Sequence, residues 1–263
     1  TALAQPTIEA AQQLFKYPGI GLLVVTGGEA VVHEARRQTD KRLIAAGAGN
    51  PPVVVDETAD IPHAAACIVA GASFDNNIIC ADEKEIIVVD SVTDQLKSEM
   101  AKHHAVEIDA RQAEAVARVI LKDYPGPNPV INRKMVGRDA AVIAREAGIS
   151  VPPDTRLLFT ETDKSHPFAQ LELMMPVISV IRAANADAAI DLAIELEHGL
   201  HHTAAMHSRN IDNLHRMSRE INTSIFVKNG SCIAGLGFGG EGWTSMTIST
   251  PTGEGVTCSR TFV

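Results

Sequence analysis

Short apolar runs alternate with segments of helical periodicity along the chain. The runs contain many β-branched residues, as strands buried on both faces of a sheet do. Strands are predicted at residues 21–25, 53–55, 86–89, 156–159, 177–181, 203–206, 225–227 and 244–249. Helices are predicted at residues 29–37, 61–70, 92–100, 110–121, 137–147, 184–196 and 211–221. This alternation predicts an α/β fold with mostly parallel strand pairing.

Composition and charge narrow the class of protein. The 263 residues are 45% hydrophobic and 21% charged, which is ordinary for a globular protein and admits one large domain or two smaller ones. The net charge is -9 and basic residues form no run, which disfavours nucleic-acid or anionic-membrane binding. Because the apolar runs are far shorter than the roughly 20 residues of a membrane span, we expect a soluble protein.

The spacing of the cysteines bears on the compartment. None forms the short pairs of a zinc site or of a small secreted disulfide framework. Free thiols indicate a reducing, cytoplasmic environment. The four cysteines are Cys67, Cys80, Cys232 and Cys258.

Glycine motifs offer candidate phosphate sites. The Gly235–Gly240 segment matches the GxGxxG pattern, but a strand rather than a helix is predicted after it. Thr26, Gly27 and Gly28 lie between a predicted strand and a predicted helix, whose first amides are free to bind phosphate. A plain strand-to-helix turn is the alternative for these three residues.

Cys80 is the candidate nucleophile. It follows an Asp-Asn-Asn turn, where irregular backbone is able to present a thiol. The alternative is that Cys80 is a small hydrophobic residue of the core.

Two further segments carry candidate chemistry. Strand alternation through residues 201–207 places His201 and His207 on one face and His202 on the other, which argues against a zinc site and leaves a histidine as a proton carrier. Glu172 is a lone acid inside an apolar run, where it is either functional or hydrogen-bonded to backbone.

Three motifs together are similar to those of the CoA-acylating branch of the aldehyde dehydrogenase superfamily. They are Phe74–Cys80, Ala46–Pro52 and Glu172–Pro176, and the likeness, greatest to members that serve bacterial ethanolamine utilisation, runs from Thr7 to Gly255. The resemblance implies an aldehyde-dehydrogenase-like α/β fold. It also implies an oxidoreductase that converts acetaldehyde or a similar short aldehyde, with NAD and coenzyme A, to acyl-CoA and NADH.

The resemblance assigns roles to residues. Cys80 is expected to attack the aldehyde and carry the acyl group as a thioester. His202 is expected to transfer a proton for the CoA thiol. Thr26, Gly27 and Gly28 match the turn that holds the cofactor phosphates, and Glu172 matches the acid that holds the nicotinamide ribose. No metal is expected.

One departure from the hydrolytic members is informative. They carry a general-base glutamate 34 residues before the nucleophile, a position that Ala46 occupies in this chain. Without a base to activate water, the thioester is expected to survive until CoA arrives.

The resemblance also implies a domain plan. Residues 1–46 are expected to form the C-terminal portion of the NAD-binding domain, 47–235 the catalytic thiol domain, and 236–263 an active-site Gly-rich loop and a strand leading to an oligomerisation tail. The chain is expected to be a fragment of a homo-oligomer, a dimer or tetramer, associated with a bacterial microcompartment. Two alternatives are a hydrolytic aldehyde dehydrogenase and a catalytically silent assembly module.

Overall fold

The first unit of the fold is a small two-stranded sheet with two helices, seen in a computed structural model that describes residues 2–263. Its strands pair in parallel, and Val32 and Ala35 of the second helix pack on buried strand residues. The sequence expectations for Thr1 lie outside the described residues. The elements are α1 (Ile8–Lys16), β1 (Leu22–Thr26), α2 (Glu29–Gln38) and β2 (Arg42–Ala46).

The second unit is a seven-stranded parallel sheet with the order β11-β10-β3-β4-β9-β8-β5, next to a short β6–β7 hairpin. The strands are β3 (Pro52–Val55), β4 (Glu85–Val89), β5 (Ala105–Glu107), β6 (Leu121–Lys122), β7 (Val130–Ile131), β8 (Leu157–Glu161), β9 (Val177–Ala183), β10 (Thr203–His207) and β11 (Ile225–Lys228). The helices are α3 (Ile61–Ala72), α4 (Asp90–Ala101), α5 (Ala110–Ile120), α6 (Ala140–Glu146), α7 (Pro167–Gln170), α8 (Ala186–Leu196) and α9 (Ile211–Glu220).

Helices cover both faces of this sheet, so its central strands are buried throughout. Every residue of β3 and β4 is buried, which explains the unbroken apolar runs Pro52–Val55 and Ile86–Val89. Asp60 caps α3 by accepting the backbone N–H of His63, and Asp109 forms a capping box with Gln112 at the start of α5. Within residues 2–263, no helix has the length and apolar character that crossing a bilayer requires.

The C-terminal segment returns to the first unit. It forms a small antiparallel pair, β12 (Ile248–Ser249) and β13 (Gly255–Val256). The backbone N–H of Ala45 donates to Thr252 Oγ1 at 3.1 Å. Arg42 donates to the carbonyls of Thr261 and Val263. These hydrogen bonds fix the segment along β2.

The α/β architecture with parallel pairing is confirmed, whereas several elements differ from the sequence expectation. The strand predicted at residues 244–249 is wrong except for Ile248–Ser249, because the preceding Gly-rich stretch adopts turns. Helix α1 was not predicted, although Thr7 caps it and its apolar residues have helical spacing; it buries no residue fully. Strands β2 and β5 were also missed; β5 is a three-residue edge strand with a single buried residue.

Candidate active site

The candidate site lies at the amino ends of the central parallel strands. Gly49 precedes β3, Cys80 precedes β4, Glu172 precedes β9 and His202 precedes β10. Because β3, β4, β9 and β10 are neighbours in one parallel sheet, these residues share one edge. Ligands of open α/β sheets usually bind at the opposite edge, where the strands have their carboxyl ends. This site is therefore identified from the chemistry of its residues and not from the position that is usual for the fold.

A strained turn presents Cys80. After α3 ends, Asp75, Asn76 and Asn77 adopt left-handed backbone conformations in succession, with φ values of 44°, 54° and 61°. Asp and Asn tolerate this region better than most residues with a Cβ atom. The Asn77 amide fixes the turn by donating to the carbonyls of Ala72 and Glu83, both at 2.9 Å. The Asp-Asn-Asn segment therefore has the irregular backbone that its sequence predicts.

Gly49 lies against three predicted site residues. A Cβ atom at this position would lie 2.7 Å from the Cys80 carbonyl oxygen and 2.9 Å from His202 Cγ. The Gly49 N–H donates to Glu172 Oε1 at 3.3 Å. Only glycine leaves room for the Cys80 backbone and the His202 ring on either side, which explains the glycine here. The structure thus brings Cys80, His202 and Glu172 together.

The Cys80 thiol is half-buried and protonated at neutral pH in this structure. Burial, and next the nearby Glu172 carboxylate, raise the thiol pKa to about 11, while the positive charge of Lys84 acts in the opposite direction. Cys232 by comparison is fully buried. Cys80 therefore has partial access to solvent but needs a stabilised thiolate to act as a nucleophile.

His202 is positioned as a neutral imidazole. Its ring is 1% exposed, and Nδ1 lies 2.8 Å from Thr203 Oγ1. Nε2 has no hydrogen-bond partner among residues 2–263. Burial, and then the charge of Lys84, lower the pKa of His202 to about 4. The buried Nε2 of this neutral ring is able to form one further hydrogen bond, as donor or acceptor according to the tautomer.

The expected alternation of the histidines is wrong. Strand β10 begins only at Thr203, and His201 lies outside it in a left-handed conformation, exposed to solvent. His207 is buried at the far end of β10, so His202 and His207 are separated by the length of the strand. Across the described range 2–263, no three His, Cys, Asp or Glu side chains converge to hold a metal ion.

Glu172 is a partly buried carboxylate. Burial raises its pKa, whereas the charge of Lys84 and the hydrogen bond from Gly49 lower it. Oε1 accepts the bond from Gly49, and Oε2 accepts none within residues 2–263. The sequence left open a functional acid or one bonded to backbone; Glu172 makes a backbone hydrogen bond through Oε1.

The turn at Thr26, Gly27 and Gly28 lies in the first unit, between β1 and α2. Gly27 donates its N–H to the carbonyl of Ala46, the last residue of β2. Gly28 is the N-cap of α2 and provides no side-chain hydrogen bond to the first turn. A Cβ atom on Gly28 would meet nothing within 4 Å. The turn is therefore open and leaves helix amides for an external acceptor.

The Gly235–Gly240 motif does not form a dinucleotide turn. It begins inside a single 3-10 turn, Cys232–Leu236, and no α-helix follows it up to Val263. Phe238 places its ring against Phe74, with 5.4 Å between centroids, at the start of the turn that leads to Cys80.

A run of four charged residues was missed as part of the site. Asp82, Glu83 and Lys84 link Cys80 to β4, which begins at Glu85. None of the four is more than 3% exposed. Such a run is usually solvated, so its pattern alone favours a surface. The feature that could have predicted its burial is its position, directly between the thiol turn and a β-branched run that predicts a buried strand.

The sequence profile of the Aldehyde dehydrogenase family matches residues 2–120 and 132–248. Together with the parallel α/β sheet and the cysteine at its amino edge, this match shows that the chain belongs to the aldehyde dehydrogenase family.

Curated relatives belong to the acylating branch. The chain is 67% identical over 263 residues to "Acetaldehyde dehydrogenase (acetylating) EutE" of Salmonella typhimurium, covering 99% of this chain and 56% of the relative. It is 43% identical over 261 residues to "Propanal dehydrogenase (CoA-propanoylating)" of Citrobacter freundii, covering 99% and 55% respectively. The chain therefore spans about half the length of the curated relatives it matches.

Solved structures share the fold. A propionaldehyde dehydrogenase from the Clostridium phytofermentans fucose utilisation bacterial microcompartment superposes with a TM-score of 0.93 at 40% identity, covering 98% of this chain and 58% of that one. A Rhodopseudomonas palustris propionaldehyde dehydrogenase with bound CoA and an acylated cysteine gives 0.93 at 44% identity, with the same two coverages.

Proposed function

We propose that this chain carries the thiol site of a CoA-acylating aldehyde dehydrogenase that converts acetaldehyde or a similar short aldehyde to acyl-CoA. The observation that carries the proposal is the packing of Cys80, His202 and Glu172 around Gly49. The names of the relatives support the reaction class, because they are acetylating or CoA-propanoylating dehydrogenases.

Cys80 is the proposed nucleophile. Its thiolate attacks the aldehyde carbon, and loss of hydride from the resulting thiohemiacetal leaves an acyl thioester on the sulfur. The thiol of CoA then displaces Cys80. His202 would accept a hydrogen bond from that incoming thiol at Nε2 in the tautomer whose Nδ1–H donates to Thr203 Oγ1. Nε2 is buried and has no partner in the described chain.

The residues present fit a nicotinamide dinucleotide. Thr26, Gly27 and Gly28 would hold its phosphates, since the turn is open and α2 lacks a side-chain cap. Glu172 would bind ribose hydroxyls through the carboxylate oxygen that Gly49 does not occupy. When bound, NAD supplies the hydride acceptor for the oxidation.

Ala46 favours transfer to CoA over hydrolysis. It is buried at the end of β2. Its methyl group occupies the position at which the hydrolytic members of the superfamily carry a carboxylate. Water near the thioester therefore has no base at that position. This favours the acylating reaction over the hydrolytic alternative.

The domain plan is part of the proposal. The end of β2 at Ala46 supports a cofactor unit of residues 1–46, and the seven-stranded sheet supports a catalytic unit of residues 47–235. The contact between Phe238 and Phe74 supports a role for residues 236–263 beside the thiol turn. Association with a bacterial microcompartment rests on the source of a structural relative. The dimer or tetramer stays a prediction, which sedimentation velocity tests.

Mass spectrometry tests the proposed chemistry. The chain is incubated with acetaldehyde and NAD, without CoA, and digested. We expect an acetyl mass on the peptide that contains Cys80, its removal on addition of CoA, and acetyl-CoA as the product. Cys67→Ser is the matched control and should label normally, whereas Cys80→Ser should not.

Two outcomes would contradict the proposal. Acetyl groups on Cys67, Cys232 or Cys258 in place of Cys80 would overturn the site assignment. A folded sample, checked by circular dichroism, that acquires no acetyl group and produces no NADH would favour the assembly module instead.

A further inference from the structure

Lys84 is a buried cation directly behind the thiol turn. It is 3% exposed, and its Nζ donates to the Asn77 carbonyl at 3.0 Å, to Asn77 Oδ1 at 2.7 Å and to the Ile79 carbonyl at 3.0 Å. All three protons of the ammonium group therefore point into the segment that leads to Cys80. The backbone N–H of Lys84 donates to the Pro51 carbonyl, which anchors the residue at the start of β3.

These hydrogen bonds act where the backbone is most strained. Asn77 is the last of the three consecutive left-handed residues, a conformation that costs free energy at each position. A buried lysine also costs free energy unless its charge is compensated. The strained backbone and the buried charge both occur at residues beside the proposed nucleophile. This indicates that the arrangement has a role at the site in addition to its role in the fold.

The charges around Cys80 leave Lys84 as the cation of the site. The acidic groups that act on the thiol or on the ammonium are Asp82, Glu83, Glu85 and Glu172, and His202 is neutral. Neither oxygen of Asp82 has a hydrogen-bond partner among residues 2–263. Lys84 is thus opposed by several carboxyl groups and bonded to none of them within that range.

We propose that Lys84 is a positioning residue for the Cys80 nucleophile. Its ammonium holds the Asn77–Ile79 segment in place and supplies the buried positive charge that stabilises the Cys80 thiolate. This inference deepens the proposed function and rests on Cys80 being the nucleophile. It predicts two separable effects, one from the hydrogen bonds on the turn and one from the charge on the thiol.

Alkylation of Cys80 by iodoacetamide tests the charge without aldehyde, NAD or CoA. Burial lowers the pKa of Lys84, and its charge must be present for the test. The rate at the Cys80 peptide is therefore followed by mass spectrometry from pH 7 to 9, below the Cys80 midpoint, where the thiolate fraction rises about tenfold per pH unit. Lys84→Met and Lys84→Gln should displace the profile upward by about one pH unit, so alkylation at pH 9 slows about tenfold. Lys84→Arg should keep the parent profile, because the charge is retained.

Two further variants separate charge from structure. Lys97→Met removes another lysine, one that pairs with Glu107 and Glu161, and should leave the Cys80 profile unchanged. Asp82→Asn removes an opposing charge and should displace the profile to lower pH. A merely structural role would slow Lys84→Arg as much as Lys84→Met, whereas the charge role slows only the variants that lose the charge.

The outcomes are decisive. Folded Lys84→Met and Lys84→Gln chains with the parent alkylation rate at pH 9 overturn the proposal, as does equal slowing in Lys97→Met. If neither Lys84 variant folds, Asp82→Asn decides: faster alkylation at pH 9 supports the charge role and an unchanged rate overturns it. Since no substrate is used, a chain without dehydrogenase activity that shows the displacement would refute the proposed function but not the charge effect.

Discussion

The charged residues at the amino ends and at the carboxyl ends of the seven-stranded sheet differ in their burial and in their pairing. At the amino edge, Asp82, Glu83 and Glu85 are buried beside Lys84 without forming an ion pair with it among the described residues. At the carboxyl edge, Arg182 pairs with Asp90 at 2.9 Å and with Glu161 at 2.8 Å, in contact with solvent.

The difference follows from solvation. Water screens the carboxyl-edge charges, so each pair contributes little to stability and perturbs little else. Buried charges at the amino edge are poorly screened, so each one alters the ionisation of its neighbours. The carboxyl edge has its own cleft, of about 790 Å³, lined by Glu161, Lys164 and Arg182 among others. Cys80, the proposed nucleophile, lies at the amino edge, where charges act strongly.

The largest expected effect comes from Cys80→Ser. We expect CoA-dependent NADH formation to fall by a factor of at least about 1,000, because an alcohol at this position is a far weaker nucleophile than a thiolate. The urea midpoint should stay close to that of the parent chain, since sulfur and oxygen differ little in size. The rate of NADH formation measures the loss of activity, and urea denaturation measures the stability. Activity within tenfold of the parent would show that Cys80 is not the nucleophile.

The second prediction contrasts the pH dependence of the two edges. Burial raises the pKa of Asp82 to about 8, so the unfolded chain loses this proton before the folded chain does, and stability falls as pH rises from about 4 to 8. Asp82→Asn should remove its share of that slope, to which the raised pKa values of Glu83 and Glu85 also contribute. It should increase the free energy of unfolding at pH 8 by on the order of a few kcal/mol.

Glu161 provides the opposite case. Its hydrogen bond from Arg182 lowers its pKa to about 2, so its contribution is present above the ordinary glutamate range and is lost as pH falls toward 2. Because Glu161 is partly exposed, Glu161→Gln should cost at most about 1 kcal/mol at pH 7. Urea unfolding at pH 5 and 8 measures both variants; equal slopes for parent and Asp82→Asn chains would refute the contrast.

A third prediction concerns packing at the amino edge. Gly49→Ala introduces a Cβ atom within 3 Å of both the Cys80 carbonyl and the His202 ring. We expect a loss of about 1–3 kcal/mol in stability, together with slower alkylation of Cys80. Gly21→Ala is the matched control, because its Cβ atom would meet nothing within 4 Å. Indistinguishable melting temperatures for the two variants would refute the close approach.

The smallest effect is expected at the carboxyl edge. Arg182→Met breaks its ion pairs with Asp90, Asp94 and Glu161, yet should cost only about 1 kcal/mol or less, and less still at high salt. The alkylation profile of Cys80 should not move. Guanidinium is unsuitable as the denaturant because it screens the pairs, so urea at two salt concentrations is the measurement. A large loss that salt does not reduce would show that this edge resembles the other.

Sequence reasoning predicted the central strands and missed elements at the margins. Val53–Val55 and Ile86–Val89 are predictable because burial on both faces requires continuous apolar residues. The edge strand β5 has three residues and buries one, so its sequence carries a weak pattern. α1 differs, because it is amphipathic and begins after the N-cap Thr7, and the prediction passed over that signal. The motifs singled out Cys80, Glu172 and His202, but spacing alone did not place them side by side, since more than 90 residues separate Cys80 from Glu172.

By itself the sequence determined the α/β class, the candidate thiol and the family resemblance, because periodicity and motifs are local properties of the chain. Only the tertiary structure decided that Gly49 lies against both Cys80 and His202 and that Lys84 faces inward. The physical reason is that the order in which the parallel strands pair determines which loops at their amino ends become neighbours. Burial then determines whether a charged residue is screened by water or acts on the thiol beside it.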